Sequence, residues 1–142
     1  MKFVTLSLTA ACIALANIGF PMSAVAHEAE AEGQAITSAF RYQIANVPGK
    51  TMTALVVDYA PGGKTPAHRH GSAFVVGYVL SGAIRSQVEG GPVRVFHAGE
   101  SWTESPGAHH MISENASETE PAKLLAIFVA GNQDKNLVTV DK

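Results

Sequence analysis

The sequence predicts a single all-β domain of the jelly-roll β-barrel class. Its 142 residues suit one domain. Short apolar runs alternate with glycine- and proline-containing turns, and outside the first 26 residues no long segment shows the 3.6-residue period of a helix. Apolar residues make up 46% of the chain and charged residues only 15%, which excludes a mostly disordered protein. The formal net charge of -2 excludes a basic nucleic-acid binder.

The first 26 residues are typical of a secretory signal peptide. Lys2 precedes an uncharged, mostly apolar run over Phe3–Phe20, and Ala24-Val25-Ala26 is a small-x-small cleavage site. Cleavage after Ala26 would leave a periplasmic or secreted protein without a thiol, because Cys12 is the only cysteine. Two alternatives are a transmembrane anchor, which the polar residues in the run weaken, and a lipoprotein attached at Cys12.

The remaining chain divides into a polar acidic leader over residues 27–33 and a domain over residues 34–142, with its core at 51–130. Glu89-Gly90-Gly91 predicts a hairpin turn. The run Ala73–Leu80 is apolar at nearly every position, so we expect both of its faces to be covered. Five strands are expected, at Thr51–Tyr59, Ala73–Leu80, Ala83–Val88, Pro92–His97 and Lys123–Val129.

The histidines carry the chemical signal. In an extended segment, residues two apart point to the same side, so both imidazoles of His68-x-His70 can face one point, as a metal site requires. The pair alone is weak support, since neighbouring histidines are more often surface or hydrogen-bonded residues. His97 and His109 are interpreted as structural or surface residues, and His27 belongs to the leader.

Two spaced motifs resemble those of the cupin family. Gly62, His68, His70 and Gly82 match the spacing of its first motif, and Gly99, Gly107 and His110 match its second. Pro106 and Asn115 each stand one position later than the second motif places them. The resemblance covers Thr51–Val129 and is nearest to small quercetin-dioxygenase-like cupins. It implies a small β-barrel, often dimeric, with a metal bound by His68, His70 and His110.

The chain departs from the family pattern at the carboxylate ligand. The first motif places a glutamate at position 75, or at 74 with a one-residue slip, where this sequence has Val75 and Phe74. Three neutral imidazoles would leave the +2 charge of the ion uncompensated, which favours an anionic substrate. Gln87 and Glu104 are candidate replacement ligands, or else ordinary solvated residues. The alternative is a barrel that has lost its metal.

Three classes of function remain open. The first is a metal-dependent enzyme, dioxygenase-like, that acts on a small anionic or enol-type molecule. The second is a module that binds a small molecule or a metal without turnover, and the third is a metal-free protein-interaction barrel. The ion could be Fe, Zn, Mn, Ni or Cu, because imidazole binds each of them. We expect a small-molecule ligand, no nucleic acid, no membrane after cleavage and, by resemblance, a homodimer. Val75, Tyr78 and Trp102 are the predicted pocket residues.

Overall fold

A computed structural model describes residues 33–142 and contains eleven β-strands. The predicted signal peptide, with Cys12, and His27 lie outside the described residues. No helix in the described part of the chain has the length and apolar character needed to cross a membrane. The strands are β1 (Gln34–Gln43), β2 (Lys50–Tyr59), β3 (Lys64–Thr65), β4 (His68–Arg69), β5 (Phe74–Ser81), β6 (Ala83–Val88), β7 (Arg94–His97), β8 (Ser101–Glu104), β9 (His109–Asn115), β10 (Ala122–Gly131) and β11 (Thr139–Val140).

The strands form two antiparallel sheets, as the predicted jelly-roll class requires. The first sheet has the order β1-β2-β10-β5-β8. The second has the order β11-β4-β9-β6-β7, and β3 also pairs with β9. Strands β5 and β6 are consecutive in the chain but lie in different sheets, so the short connection between them turns the chain from one sheet to the other.

The core lies between the two sheets in two clusters of buried apolar side chains. Strand β10 illustrates this arrangement. Every second residue from Ala122 to Ala130 is buried, because alternate side chains of a strand point to the same face of the sheet. The first cluster joins both sheets and packs against Trp102; it contains Val57, Tyr59, Val79, Ile84, Phe96, Ala122 and Leu124. The second contains Ala73, Val75, Ala126, Phe128 and Ala130.

All five predicted strands are present, each within two residues of its predicted limits. The prediction that Ala73–Leu80 is covered on both faces is wrong. Its outward side chains Phe74, Tyr78 and Leu80 are about 40% exposed, because β5 has its inner face on the core and its outer face towards solvent. Strand β1 was not predicted; it is an edge strand with mostly exposed residues.

Two residues of the motifs, Gly82 and Asn115, stabilise turns and loops of the barrel. Gly82 turns the chain between β5 and β6 with φ +70°, and a Cβ there would lie 2.7 Å from the carbonyl oxygen of Pro121. The Asn115 side chain is buried and donates to the carbonyl oxygens of Ala60 and Glu120. Its own amide oxygen accepts from the Ser117 N–H. Asn115 therefore has a structural role.

Candidate metal centre

The structure brings His68, His70 and His110 together at the wall of one cavity. His68 on β4 lies directly opposite His110 on β9, and His70 follows two residues after His68. All three side chains are buried, and one ring nitrogen of each lies within 4.8 Å of the others. The His-x-His spacing and the pairing of two neighbouring strands thus produce a compact cluster of three imidazoles.

The main chain fixes the orientation of His68 and His70. His68 Nδ1 donates to the Pro66 carbonyl oxygen at 2.7 Å, and His70 Nδ1 donates to the Leu137 carbonyl oxygen at 2.8 Å. Because both Nδ1 atoms carry hydrogen, each neutral ring presents a lone pair at Nε2. These two Nε2 atoms lie only 3.1 Å apart. Two facing lone pairs repel each other unless a cation or a proton lies between them.

His110 completes the cluster from the opposite strand. Its Nε2 lies 2.9 Å from the Ser86 hydroxyl, and its Nδ1 lies 3.2 Å from Glu104 Oε1. Its ring also makes an edge contact with Trp102. Both ring nitrogens of His110 thus face polar atoms, and the buried Ser86 hydroxyl fixes one side of the ring.

Burial favours the neutral form of His68 and His110. Loss of hydration lowers the pKa of His68, and it lowers the pKa of His110 to about 4 from an ordinary 6.5. A proton between His68 and His70 would require a charged imidazolium in this buried site, which burial disfavours. A neutral imidazole is the form that binds a metal ion, so the site is better suited to a metal ion than to a proton.

We expect the metal-free protein to lose stability as the pH falls from about 6.5 to about 4. In that range the unfolded chain binds a proton at His110 and the folded chain does not, so protons favour unfolding. His110 should contribute a slope of up to about 1.4 kcal/mol per pH unit, and the lowered pKa of His68 acts in the same direction. Urea denaturation at a series of pH values measures it. A free energy of unfolding that stays constant across this range would contradict the prediction.

Glu104 contacts two members of the cluster, His70 and His110, although its strand β8 belongs to the other sheet. It is 2% exposed, and the Trp102 indole N–H donates to its Oε1 at 3.1 Å. Its Oε2 lies 3.4 Å from His70 Nε2 and has no hydrogen-bond partner. Burial raises the pKa of Glu104, whereas positive charge at His70 and His110 and the indole N–H lower it by more, so the net pKa is lowered. The carboxylate form of Glu104 therefore depends on positive charge in its surroundings, which a metal ion would supply.

The donor set of this cluster fits a divalent metal ion. His70 Nε2 lies between two further acceptors, 3.1 Å from His68 Nε2 and 3.4 Å from Glu104 Oε2, and Glu104 Oε2 has no hydrogen-bond partner. Among the described residues that line the cavity, none is lysine or arginine, so no cationic side chain of the wall neutralises Glu104. A buried carboxylate without a counter-charge is costly. A bound cation would satisfy both the acceptors and the charge.

The cavity next to the cluster is small and mostly apolar. Its volume is about 60 Å³, enough for several water molecules or a ligand of few non-hydrogen atoms. Val75 and Trp102 line it, as predicted. Tyr59 and Phe128, which line the cavity from β2 and β10, were not predicted as site residues. The sequence does not show whether a buried aromatic residue in an apolar strand lines a cavity or packs in the core.

Two predicted site residues lie elsewhere. Tyr78 is 40% exposed, because the alternation that directs Val75, Gly77 and Val79 inward directs Tyr78 outward. Gln87 donates its side-chain amide to the Gly91 carbonyl oxygen in the β6–β7 turn and does not line the cavity. Its neighbour Ser86 points inward to His110 instead. Of the two candidate replacement ligands, the structure brings only Glu104 to the histidines.

Gly77 makes room for the indole that holds Glu104. It lies opposite Trp102 in the β5–β8 pair. A Cβ at position 77 would lie 2.5 Å from the indole ring. The absence of a side chain at position 77 therefore allows Trp102 to lie over β5 and to donate to Glu104.

Gly77→Ala is expected to displace the indole and to destabilise the fold by about 1–3 kcal/mol through overpacking. Trp102 is the only tryptophan of the chain, so its fluorescence reports the displacement directly. Gly91→Ala, which adds the same methyl group in the β6–β7 turn, should leave the emission spectrum unchanged. An unchanged spectrum in the Gly77→Ala variant would show that Gly77 does not position Trp102.

Comparison with known proteins assigns the family of this domain. The family model for the cupin domain matches residues 55–128, more than half of the chain. No curated protein matches the chain. A recombinant oxalate oxidase solved in complex with glycolate is similar at 26% identity and a TM-score of 0.60. That match covers 78% of this chain and 56% of the oxalate oxidase chain.

Two further solved structures share the fold. The DMSP lyase DddQ from Ruegeria pomeroyi is 21% identical with a TM-score of 0.53, over 63% of this chain and 42% of that chain. An uncharacterized conserved protein with a double-stranded β-helix domain from Klebsiella pneumoniae is 18% identical with a TM-score of 0.60. That match covers 78% of this chain and 85% of the Klebsiella chain. This chain therefore spans about half the length of the two enzymes that it resembles.

Proposed function

The chain belongs to the cupin family, and from that premise we propose that it is a secreted or periplasmic cupin with a mononuclear metal site that acts on a small molecule. One observation carries the proposal. His68 Nε2 and His70 Nε2 face each other at 3.1 Å while both rings donate their Nδ1 hydrogens to main-chain carbonyls. Histidine ligands of metals are commonly held in this way. The location outside the cytoplasm rests on the sequence of residues 1–26 alone.

The cavity wall supports a small anionic or enol-type substrate. The described lining residues include no lysine or arginine, so a negative group on the substrate would have to be neutralised at the metal. The rest of the wall is mostly apolar and leaves about 60 Å³, which suits a molecule of few non-hydrogen atoms. The similar oxalate oxidase was solved with glycolate, a two-carbon acid, and this supports a ligand of that size.

The chain's own residues would hold and shield the reacting centre. The Pro66 and Leu137 carbonyls orient two imidazoles, and Ser86 orients the third. Apolar side chains such as Phe128, which contacts the His70 ring, line most of the cavity and would limit the water around a bound substrate. When bound, a divalent ion would supply Lewis-acid chemistry and, if it is redox-active, the electron transfer of a dioxygenase-like oxidoreductase.

Metal content and oxygen consumption test this proposal on the wild-type protein. We expect elemental mass spectrometry to find about one redox-active ion per chain after purification without chelator. Oxygen consumption with two- and three-carbon acids, glycolate first, should stop after chelation and return when the metal is restored. A protein that binds no divalent ion after incubation and desalting would contradict the proposal.

Capture without turnover is the second candidate function, because so small a cavity also suits simple retention of an ion and a small ligand. It predicts one bound ion per chain and a calorimetric signal for the acid. It also predicts that neither oxygen nor the acid is consumed. Measurement of product by chromatography over several hours distinguishes this outcome from slow catalysis.

A further inference from the structure

We propose that Glu104 is the fourth protein ligand of this metal centre. It would supply from β8 the carboxylate that the family motif places on β5, where this chain has Val75. The inference rests on the proposed function, since it requires that the three histidines bind a metal ion. It adds a ligand, and therefore a charge, to a site that would otherwise consist of imidazoles alone.

The strand register explains how the carboxylate can change position and still reach the same site. Val75 and Glu104 are directly paired in the antiparallel β5–β8 ladder. Side chains paired in this way point to the same face of the sheet, with their Cβ atoms about 5 Å apart. Both residues are 2% exposed and both line the cavity. A carboxylate at position 104 therefore enters the cavity from the strand next to the motif position.

The two oxygens of Glu104 have different surroundings, as a carboxylate that binds an ion through one oxygen requires. Oε1 accepts from the Trp102 indole and lies 3.2 Å from His110 Nδ1. Oε2 has no hydrogen-bond partner and lies 3.4 Å from His70 Nε2. Ligating carboxylates are usually held by a hydrogen bond in this way. Trp102 would thus be the positioning residue and Oε2 the ligand atom.

The charge of the site changes with this assignment. A divalent ion bound by three neutral imidazoles keeps its +2 charge, whereas the carboxylate reduces the charge of the centre to +1. One negative group on a substrate then neutralises the site. With no lysine or arginine among the described lining residues, a second negative group would find no partner in the wall. The centre is therefore suited to monoanions.

The competing explanation is structural: Glu104 would act only as an ion-pair partner of a protonated His70 or His110. That role would stabilise the metal-free fold in acid and would leave metal affinity almost unchanged. The two roles differ in a quantity that can be measured without any substrate.

The test is the affinity for Co²⁺, measured by competition with a chromophoric chelator at pH 7.5. Glu104→Gln keeps the size of the side chain and removes its charge. We expect it to weaken Co²⁺ binding at least about 100-fold, a loss at the upper end of that seen for residues that only support a ligand. Glu118→Gln, which changes an exposed glutamate, should bind within about threefold of wild type. Circular dichroism monitors the fold of each variant.

An exchange variant tests the position of the ligand. Val75→Glu/Glu104→Val moves the carboxylate to the family position across the strand pair and keeps the composition. We expect its affinity to recover to within about tenfold of wild type, while Glu104→Val alone binds as weakly as Glu104→Gln. If Glu104 only supported the fold by accepting the Trp102 hydrogen bond, a carboxylate at position 75 would not restore the metal affinity, because Trp102 donates to position 104.

Two results would overturn the inference, and each is distinct from failure of the proposed function. If wild type binds Co²⁺ and Glu104→Gln binds within threefold of it, Glu104 is not a ligand and the three-histidine site stands. If the variants do not fold, the Co²⁺-loaded wild type with ¹³C-labelled glutamate decides the question by NMR. A direct ligand shows one strongly hyperfine-shifted glutamate side chain, and the absence of such a signal refutes the assignment. If wild type binds no ion, the proposed function fails as well.

Discussion

His68→Ala/His110→Ala is expected to abolish stoichiometric metal binding, with a loss of affinity of at least about 1,000-fold. The two residues are paired across β4 and β9 and provide two of the three imidazoles, so one ring is left to bind the ion. Replacing even a group that only supports a ligand costs about 10- to 100-fold, and here two ligands are lost. Elemental mass spectrometry after incubation with one equivalent of metal measures the effect.

His97→Ala is the matched control for this variant. His97 ends β7, is exposed and lies outside the cluster, so its replacement should retain one ion per chain. Thermal unfolding of the metal-free proteins separates loss of the site from loss of the fold. A double variant that retains one ion per chain at wild-type affinity would show that the histidine cluster is not the metal site.

Removal of residues 137–142 is expected to weaken metal binding by about 10- to 100-fold and to destabilise the fold. This segment supplies the Leu137 carbonyl that fixes the His70 tautomer, and Val138 lines the cavity. Strand β11 in the segment pairs with β4, with Val140 opposite His68. Two of the three imidazoles therefore depend on this segment for their position. Competition with a chelator and urea denaturation measure the two effects.

A shorter truncation after Val140 is the control for this prediction. It keeps the Leu137 carbonyl and β11, and it removes the contacts of Asp141 with His109 and with the Ala67 carbonyl. We expect its metal affinity to stay within about threefold of the full chain. If both truncated proteins bind metal as tightly as the full chain, the segment has no part in the site.

The sequence predicted the parts of this molecule that depend on local pattern. The apolar runs bounded by glycine and proline are the strands of the core. The His-x-His spacing was sufficient to predict that His68 and His70 share a face. The edge strand β1 was not predicted, because its residues lack a buried face and so lack a clear apolar alternation. For Tyr78 the sequence could not show which face of β5 was the inner one.

The remaining features of the site depend on contacts between segments distant in the chain. The sequence could not favour Glu104 over Gln87, because the choice depends on the register of β8 against β5 and on the side of β6 that faces His110. The Leu137 carbonyl that holds His70 is a main-chain group, so the identity of residue 137 did not mark it. The pattern Trp102-x-Glu104, two residues on one face of a strand, was the available signal.

X-ray diffraction recorded at the absorption edge of the bound metal shows whether the histidines and Glu104 bind one ion. The protein would be crystallised after loading with one equivalent of Co²⁺. We expect one anomalous peak per chain inside the barrel, about 2.0–2.2 Å from His68 Nε2, His70 Nε2, one ring nitrogen of His110 and an oxygen of Glu104. A peak only at the surface, or an empty cluster in metal-saturated crystals, would show that these residues do not form a metal site.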